Sequence, residues 1–286
     1  MAFAQSGWVD HERLRHHNWP DMKKIWHACL LSLLLSQPVG FSFGAESNNA
    51  VPILVYHRFG PVVADSMTVK TSVFASHLEY LRTNGYLIIP LRRLTDYLAG
   101  DAPPPPARAV VITADDGHKS VFTDMFPLIS RYHIPITLFI YPSAISNANY
   151  AMTWQQLREM QDSGLVDIQS HTFWHPNFKK EKMSLDASEY EKFVHMQMSK
   201  SKDMLEQKLK IHVDMLAWPF GIYDDDLIHD ARQAGYIAGF TLERRSAKRS
   251  DNLMALPRYL MTDQMQVGVF KKLALLKNEW VKRHVG

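Results

Sequence analysis

Asp115 and Asp116 stand side by side at the end of an apolar run, VVITADDGHKS at residues 110–120, and Gly117 and His118 follow at once. Two adjacent carboxylates raise each other's pKa and ionise together only at a cost. A cation bound to one of them offsets that repulsion and leaves the other ionised as a base. Further along, DIQSHTFWHP places His171 and His175 four residues apart, and LAWPFGIYDDD places Trp218, Pro219 and Phe220 just before a glycine. Two imidazoles and a carboxylate with open positions form a recurring ligand set for zinc and neighbouring first-row metals. Asp116, His171 and His175 are therefore read as ligands of a divalent metal ion, zinc foremost with cobalt or nickel as alternatives, and Asp115 as the catalytic base. Each motif also has a plainer reading. Adjacent aspartates before a glycine cap helices, and histidines at this spacing occur as ordinary buried or surface residues.

Position separates these readings. In parallel α/β folds the active site gathers at the carboxyl ends of the strands, and each of the three polar groups follows an apolar run of strand length. Strands are expected near 52–56, 86–89, 108–113, 136–140, 165–170, 213–218 and 236–241, with a weaker one near 253–258. Helix-period segments fill the gaps, the alternation that implies parallel strands joined by crossover helices. Thr153 and Gln156 form a candidate capping box, and Gly85, Gly164 and Gly235 sit where helices should stop. The charged stretch Leu185 to Leu209 reads as a long helix with a solvated face. PPPP at 103–106 is a stiff surface connection rather than a domain boundary. The strand count suggests a barrel.

The 286 residues suffice for one large α/β domain, and the net charge of +3 comes from scattered lysines and arginines. Nucleic-acid binding needs a massed basic stripe, so no nucleic-acid partner is expected. Near the start, Met22, Lys23 and Lys24 precede an apolar run from Ile25 to Leu35 and small residues around Ser42 and Gly44. That run is shorter than the roughly 20 residues of a membrane span, so residues 1–44 are read as an N-terminal extension and signal peptide removed after Gly44. Residues 1–21 have no place before a signal peptide and point to an upstream start codon. Residues 45–286 form a single catalytic domain, exported to the periplasm or outside the cell, with no stable membrane span after cleavage. The only cysteine, Cys29, lies in the removed segment, so no disulfide or thiol chemistry is expected.

TADDG at 113–117, HTFWH at 171–175 and WPFG at 218–221 occur in one order along the chain. They resemble, in that order, the TFDDG, H[ST]xxH and RxPYG motifs of the polysaccharide deacetylases, the carbohydrate esterases defined by a NodB homology domain. VPILVYHRFG near residue 51 and LPRYL at 256–260 resemble the branch that N-deacetylates biofilm polysaccharides. The resemblance implies a distorted (β/α)7 barrel, a divalent ion such as zinc, and hydrolysis of acetyl groups from the N-acetylated sugars of a polysaccharide or cell-envelope glycan. Ala114 replaces the usual phenylalanine, which should open space beneath the aspartate pair. Ala217 and Trp218 occupy the place of an arginine that orients the base, so Asp115 is expected to lack that partner. No histidine follows LPRYL where the family supplies a general acid, apart from His284 in the tail. His57 and His118 are the substitutes. Trp174, Trp218, Pro219, Phe220, Arg258 and His57 are expected at the substrate, with Tyr223 a further aromatic nearby. Arg258 has a second reading, as the group that holds Asp115. An O-acetyl esterase of the same fold, which needs less help from an acid, is the nearest rival, and a non-catalytic glycan-binding protein is the other.

Overall fold

The computed structural model describes residues 50–275, all within the compact unit Ser47–Gly286. Its strands are β1 (Ile53–Tyr56), β2 (Arg58–Gly60), β3 (Thr68–Lys70), β4 (Leu87–Ile88), β5 (Ala109–Asp115), β6 (Ile136–Ile140), β7 (Val166–Ser170), β8 (Met215–Ala217), β9 (Ala238–Phe240) and β10 (Tyr259–Leu260). The helices are α1 (Thr71–Thr83), α2 (Leu91–Ala99), α3 (Phe126–Tyr132), α4 (Trp154–Asp162), α5 (Phe178–Ser184), α6 (Ala187–Leu209), α7 (Asp225–Gln233) and α8 (Val267–Leu275). Seven strands run in the order β10-β1-β5-β6-β7-β8-β9, every neighbour parallel, and β4 pairs with the first half of β5. The edges of this sheet approach one another through a single segment of chain. Leu256 bridges to Phe240 of β9, and a few residues on Tyr259 and Leu260 pair with β1. The result is the parallel (β/α) barrel of the NodB type.

Alternation along the strands sets what fills the barrel. Successive side chains of a strand point to opposite faces, and in β5 Val110, Ile112 and Ala114 join the large outer core while Val111 joins a second, inner cluster. That inner cluster includes Ile53, Phe139, Met215, Ala217, Ala238 and Phe240. Thr113 and Asp115 continue the phase of Val111, so the same alternation carries Asp115 to the carboxyl end of the barrel interior. All seven residues of β5 are buried.

Local signals place the helices. Thr153 Oγ1 accepts from Gln156 N–H at 3.2 Å, and Gln156 Oε1 accepts in return from Thr153 N–H at 2.9 Å, the reciprocal cap that starts α4. Asp186 and Glu189 start α6 in the same way. Past the ends of α4 and α7, Gly164 and Gly235 take φ of +72° and +89°, which only glycine adopts without strain.

The strand expected at 253–258 is displaced. Leu253–Ala255 form a 3₁₀ turn, started by the Asn252 side chain accepting from Met254 N–H, and the strand begins only at Tyr259. The cause lies in the adjoining outer core, where Trp218 Nε1 donates to the Met254 carbonyl at 2.8 Å. Gly239 makes room for this contact, since a Cβ there would collide with the Met254 carbonyl and stand 2.6 Å from Trp218 Nε1. Gly239→Ala is therefore expected to destabilise the fold by about 1–3 kcal/mol, the usual range for overpacking a filled core. At roughly 2–4 °C per kcal/mol for a domain of this size, a calorimetric Tm lowered by several degrees is the expected reading.

Residues 1–44, with Cys29 and the signal segment, lie outside the described residues, as does His284. Among the described residues no helix is long and apolar enough to cross a membrane.

Candidate active site

Neighbouring strand residues face opposite ways, so two adjacent carboxylates at one site require a break in the strand. Asp116 supplies it, with φ +75° immediately followed by Gly117 at +78°. The turn is tight, because a Cβ on Gly117 would stand 3.0 Å from Ile140 and 3.1 Å from Ile145. Thr172, His175 and Phe220 also have positive φ, at +63°, +61° and +58°. Such conformations each cost about 1–3 kcal/mol outside glycine and collect at functional sites.

The turn after β5 and the loop after β7 bring three ligand atoms together. Asp116 Oδ1 lies 3.6 Å from His171 Nε2 and 3.8 Å from His175 Nε2, and the three atoms fall within 4.8 Å of one another. His171 Nδ1 donates to the Ala217 carbonyl at 2.8 Å, so the neutral ring carries its lone pair on Nε2, facing Asp116. A carbonyl behind an imidazole is the usual support of a metal-ligating histidine. Burial, helped by the neighbouring His171 and opposed by Asp116, pushes His175 down to about 4, which keeps it in the neutral form that binds a cation. Asp116 Oδ1 is itself buried without a hydrogen-bond partner. A buried carboxylate oxygen with no donor is costly unless a cation accepts it. One carboxylate oxygen and two imidazole nitrogens clustered within 4.8 Å of one another are the donor types that a divalent ion such as zinc takes. The donor set fits a divalent ion.

Asp115 has a different environment. Arg258 is wholly buried and grips it with both terminal nitrogens, Nη1 to Oδ1 at 2.8 Å and Nη2 to Oδ2 at 2.7 Å. Arg258 Nε donates to the Thr241 carbonyl and Nη1 also reaches Thr113 Oγ1, while the guanidinium lies over the rings of Phe139 and Phe240. Burial by itself pushes the Asp115 carboxyl up, but the Arg258 charge leads a set of opposing interactions that together hold it below its ordinary value. The expectation that Asp115 lacks an arginine partner is thus corrected. Arg258, on the segment that closes the barrel, occupies the role, and its burial removes it from any sugar-facing surface.

Other expected substrate contacts sort by exposure. Trp218 is 0 % exposed, with its indole committed to Met254, so it cannot stack on a sugar. Pro219 is buried beside it. These two assignments are corrected: Trp218 continues the outward phase of Leu216 into the outer core, and Pro219 is buried at the start of the 3₁₀ turn that follows. Trp174 and Phe220 are 46 % and 57 % exposed, and the Phe220 ring centroid lies 4.6 Å from that of His175. Tyr223 stacks on Trp218 and donates to Glu243 at 3.0 Å. His57 is buried rather than rim-forming, and its Nδ1 has no hydrogen-bond partner. Burial lowers its pKa, while Asp115 and Asp116 act in the opposite sense, as charges close to the ring do. His118 is bound to Ser120 Oγ at 2.7 Å and stacks on Tyr150.

Tyr141 was not among the expected residues. Its ring centroid lies 5.5 Å from His175 and 6.5 Å from His171, and its hydroxyl pairs with that of Tyr150 at 2.9 Å. It directly follows β6, and a polar aromatic at the carboxyl end of a strand was the signal available.

A parallel (β/α) barrel with a carboxylate–imidazole cluster and a buried acid–arginine pair at its carboxyl end defines a class of barrel proteins whose chemistry sits at the strand ends, and comparison with known proteins narrows it. Residues 102–239 match the family model described as polysaccharide deacetylase, and the chain carries a polysaccharide deacetylase domain. It is 26 % identical over 236 residues to a poly-β-1,6-N-acetyl-D-glucosamine N-deacetylase of Staphylococcus epidermidis, covering 76 % of this chain and 81 % of that one. A protein of the same name from Escherichia coli K12 is 25 % identical over 284 residues, covering 87 % of this chain. The match spans only 41 % of the length of that relative. Among solved structures, IcaB from Ammonifex degensii superposes with a TM-score of 0.69 at 25 % identity, covering 79 % of this chain and 97 % of that one.

Proposed function

We propose that the protein is a metal-dependent hydrolase that removes acetyl groups from the N-acetylglucosamine residues of an exported polysaccharide. The observation that carries this reading is the division of labour between adjacent carboxylates. Asp116 faces the Nε2 atoms of two imidazoles with an unpartnered oxygen, while Asp115 is kept ionised by Arg258 within 3.8 Å of the same His171 nitrogen. The substrate class is supported by the names of the relatives from Staphylococcus epidermidis and Escherichia coli.

Asp116, His171 and His175 would hold the ion, zinc by the chemistry of the set, with cobalt or nickel fitting the same donors. When bound, such an ion polarises an acyl oxygen and lowers the pKa of water from about 15.7 toward about 7. Asp115 takes the proton of the attacking water, and the two-pronged grip of Arg258 keeps its carboxylate aimed and ionised. His57 is assigned as the proton donor to the departing amine, since it is buried within electrostatic reach of both aspartates and its Nδ1 is not committed elsewhere, although burial outweighs those charges and lowers its pKa. Trp174 and Phe220 offer exposed aromatic faces beside His175 for stacking on sugar rings. An exported location follows from a polymer substrate and from the signal-like segment at 22–44.

Acetate release from β-1,6-linked N-acetylglucosamine oligomers, set beside an O-acetylated xylan, tests the reading. Release from the amide substrate, its loss on treatment with a chelator and its return with zinc are the expected outcomes. Release from the xylan alone would establish the esterase instead. No release from either, with zinc bound, would leave a glycan-binding protein.

A further inference from the structure

The loop between the two histidines has an unusual way of satisfying its backbone. Thr172, Phe173, Trp174 and His175 lie outside any helix or strand, yet each of their four N–H groups is taken by a side-chain oxygen. Ser170 Oγ accepts from Thr172 at 3.2 Å, and Thr172 Oγ1 accepts from His175 at 3.2 Å. The middle two, Phe173 and Trp174, both donate at 3.1 Å to one atom, Oε1 of Gln197. Gln197 belongs to α6, and its side chain is 0 % exposed. One turn further along the same helix, Ser201 Oγ meets Ser170 Oγ at 2.8 Å.

We infer that Gln197 is a positioning residue for the ligand set, fixing His175 and Trp174 relative to His171 from a helix that contributes no ligand of its own. The two histidines differ in what holds them. His171 is anchored to the barrel through its N–H on the Ile140 carbonyl and its ring on the Ala217 carbonyl. His175 has a side-chain cap from Thr172 and a positive φ of +61°, a conformation that persists only where surroundings impose it. Ser143 N–H on the Phe173 carbonyl and the rings of Tyr141 and Phe220 against His175 also hold this loop, but Gln197 is the side chain whose oxygen closes the two peptide groups just before that residue. Buried N–H groups left without an acceptor are costly, so without this oxygen the loop relaxes and carries His175 with it. The role asks only for an acceptor, since Gln197 Nε2 makes no hydrogen bond to the protein.

That asymmetry supplies the test, which rests on the metal-dependent reading above but is read out by binding. Zinc affinity of the full chain is measured by competition with a chromophoric chelator for Gln197→Met, Gln197→Glu and, as a control for loss of helix packing, Leu205→Ala on the same face of α6. Removing a group that orients a metal ligand typically weakens affinity 10–100-fold. Gln197→Met is expected to fall in that range while circular dichroism shows the fold kept. Gln197→Glu, which retains both acceptor bonds, is expected to stay within a few-fold of the parent, and Leu205→Ala to lower Tm without weakening zinc. Wild-type zinc affinity in Gln197→Met would overturn the inference, as would equal weakening in Leu205→Ala. Failure of the parent chain to bind zinc would instead count against the metal centre itself.

Discussion

Arg258→Met is expected to lower stability by about 3–5 kcal/mol near neutral pH and to reduce acetate release by at least about 100-fold. The stability loss follows from burial: both partners of the Arg258–Asp115 pair are almost wholly inaccessible. A buried ion pair contributes little over an apolar pair of the same shape, but removing one member strands the other charge and costs about 3–5 kcal/mol. The pH dependence has a definite sign. In the parent the folded-state pKa of Asp115 is depressed, so its contribution is present above the unfolded value and is lost as pH falls through the folded one. In Arg258→Met the leading opposing charge is gone and burial raises the carboxyl, so the folded state takes up a proton more readily than the unfolded chain. The stability gap between parent and variant should therefore be widest at pH 7 and narrow toward pH 4, as measured by urea denaturation. A gap that is constant with pH would mean that Arg258 acts through packing on Phe139 and Phe240 alone. Arg258→Lys should recover little of either property, because a single ammonium cannot reproduce the paired grip together with the bonds to Thr241 and Thr113.

Arg258 also marks how far the sequence could be read. The barrel was legible because apolar runs of strand length alternate with capped helices, and the Thr153–Gln156 box and Gly164 mark the ends of one helix almost to the residue. The cluster of Asp116, His171 and His175 was legible because each follows a strand and strand ends converge in a parallel barrel. Pairing across the closing seam was not. Arg258 lies 143 residues from Asp115 in sequence, and nothing local to LPRYL says that the chain turns its arginine inward to meet β5. Trp218 failed for a related reason: aromatic residues beside a glycine resemble a sugar platform, and only Gly239 on the neighbouring strand, by leaving space for the indole, makes it core. Gln197 was hidden inside a long helix whose many charges suggest a solvated face. Its neighbours Val194, Met198 and Ser201 are buried with it, but the helical stripe they form shows burial and says nothing of the loop it meets.

Asp115→Asn should lower stability, because the buried Arg258 charge loses its counter-ion. In the folded protein it should leave zinc binding in place and lower acetate release from N-acetylglucosamine oligomers by about 10²–10⁴, the span usual for loss of a general base. Asparagine keeps one oxygen that accepts from Arg258 but cannot take a proton from water. Asp116 still faces both histidines, so affinity for zinc should change little, and full activity would refute the base. His57→Gln distinguishes the two proton transfers. Amine departure requires protonation, whereas a phenolate leaves without it, so this variant should lose about 10²-fold on the amide while hydrolysing 4-nitrophenyl acetate nearly as fast as the parent. Asp115→Asn should be slow on both, because water must lose its proton whatever the leaving group. If His57→Gln slows the ester as much as the amide, the histidine is shaping the site rather than donating to the amine. The proton donor must then be sought elsewhere at the carboxyl end of the barrel, with His118 first, since it too follows β5 within two residues of Asp116.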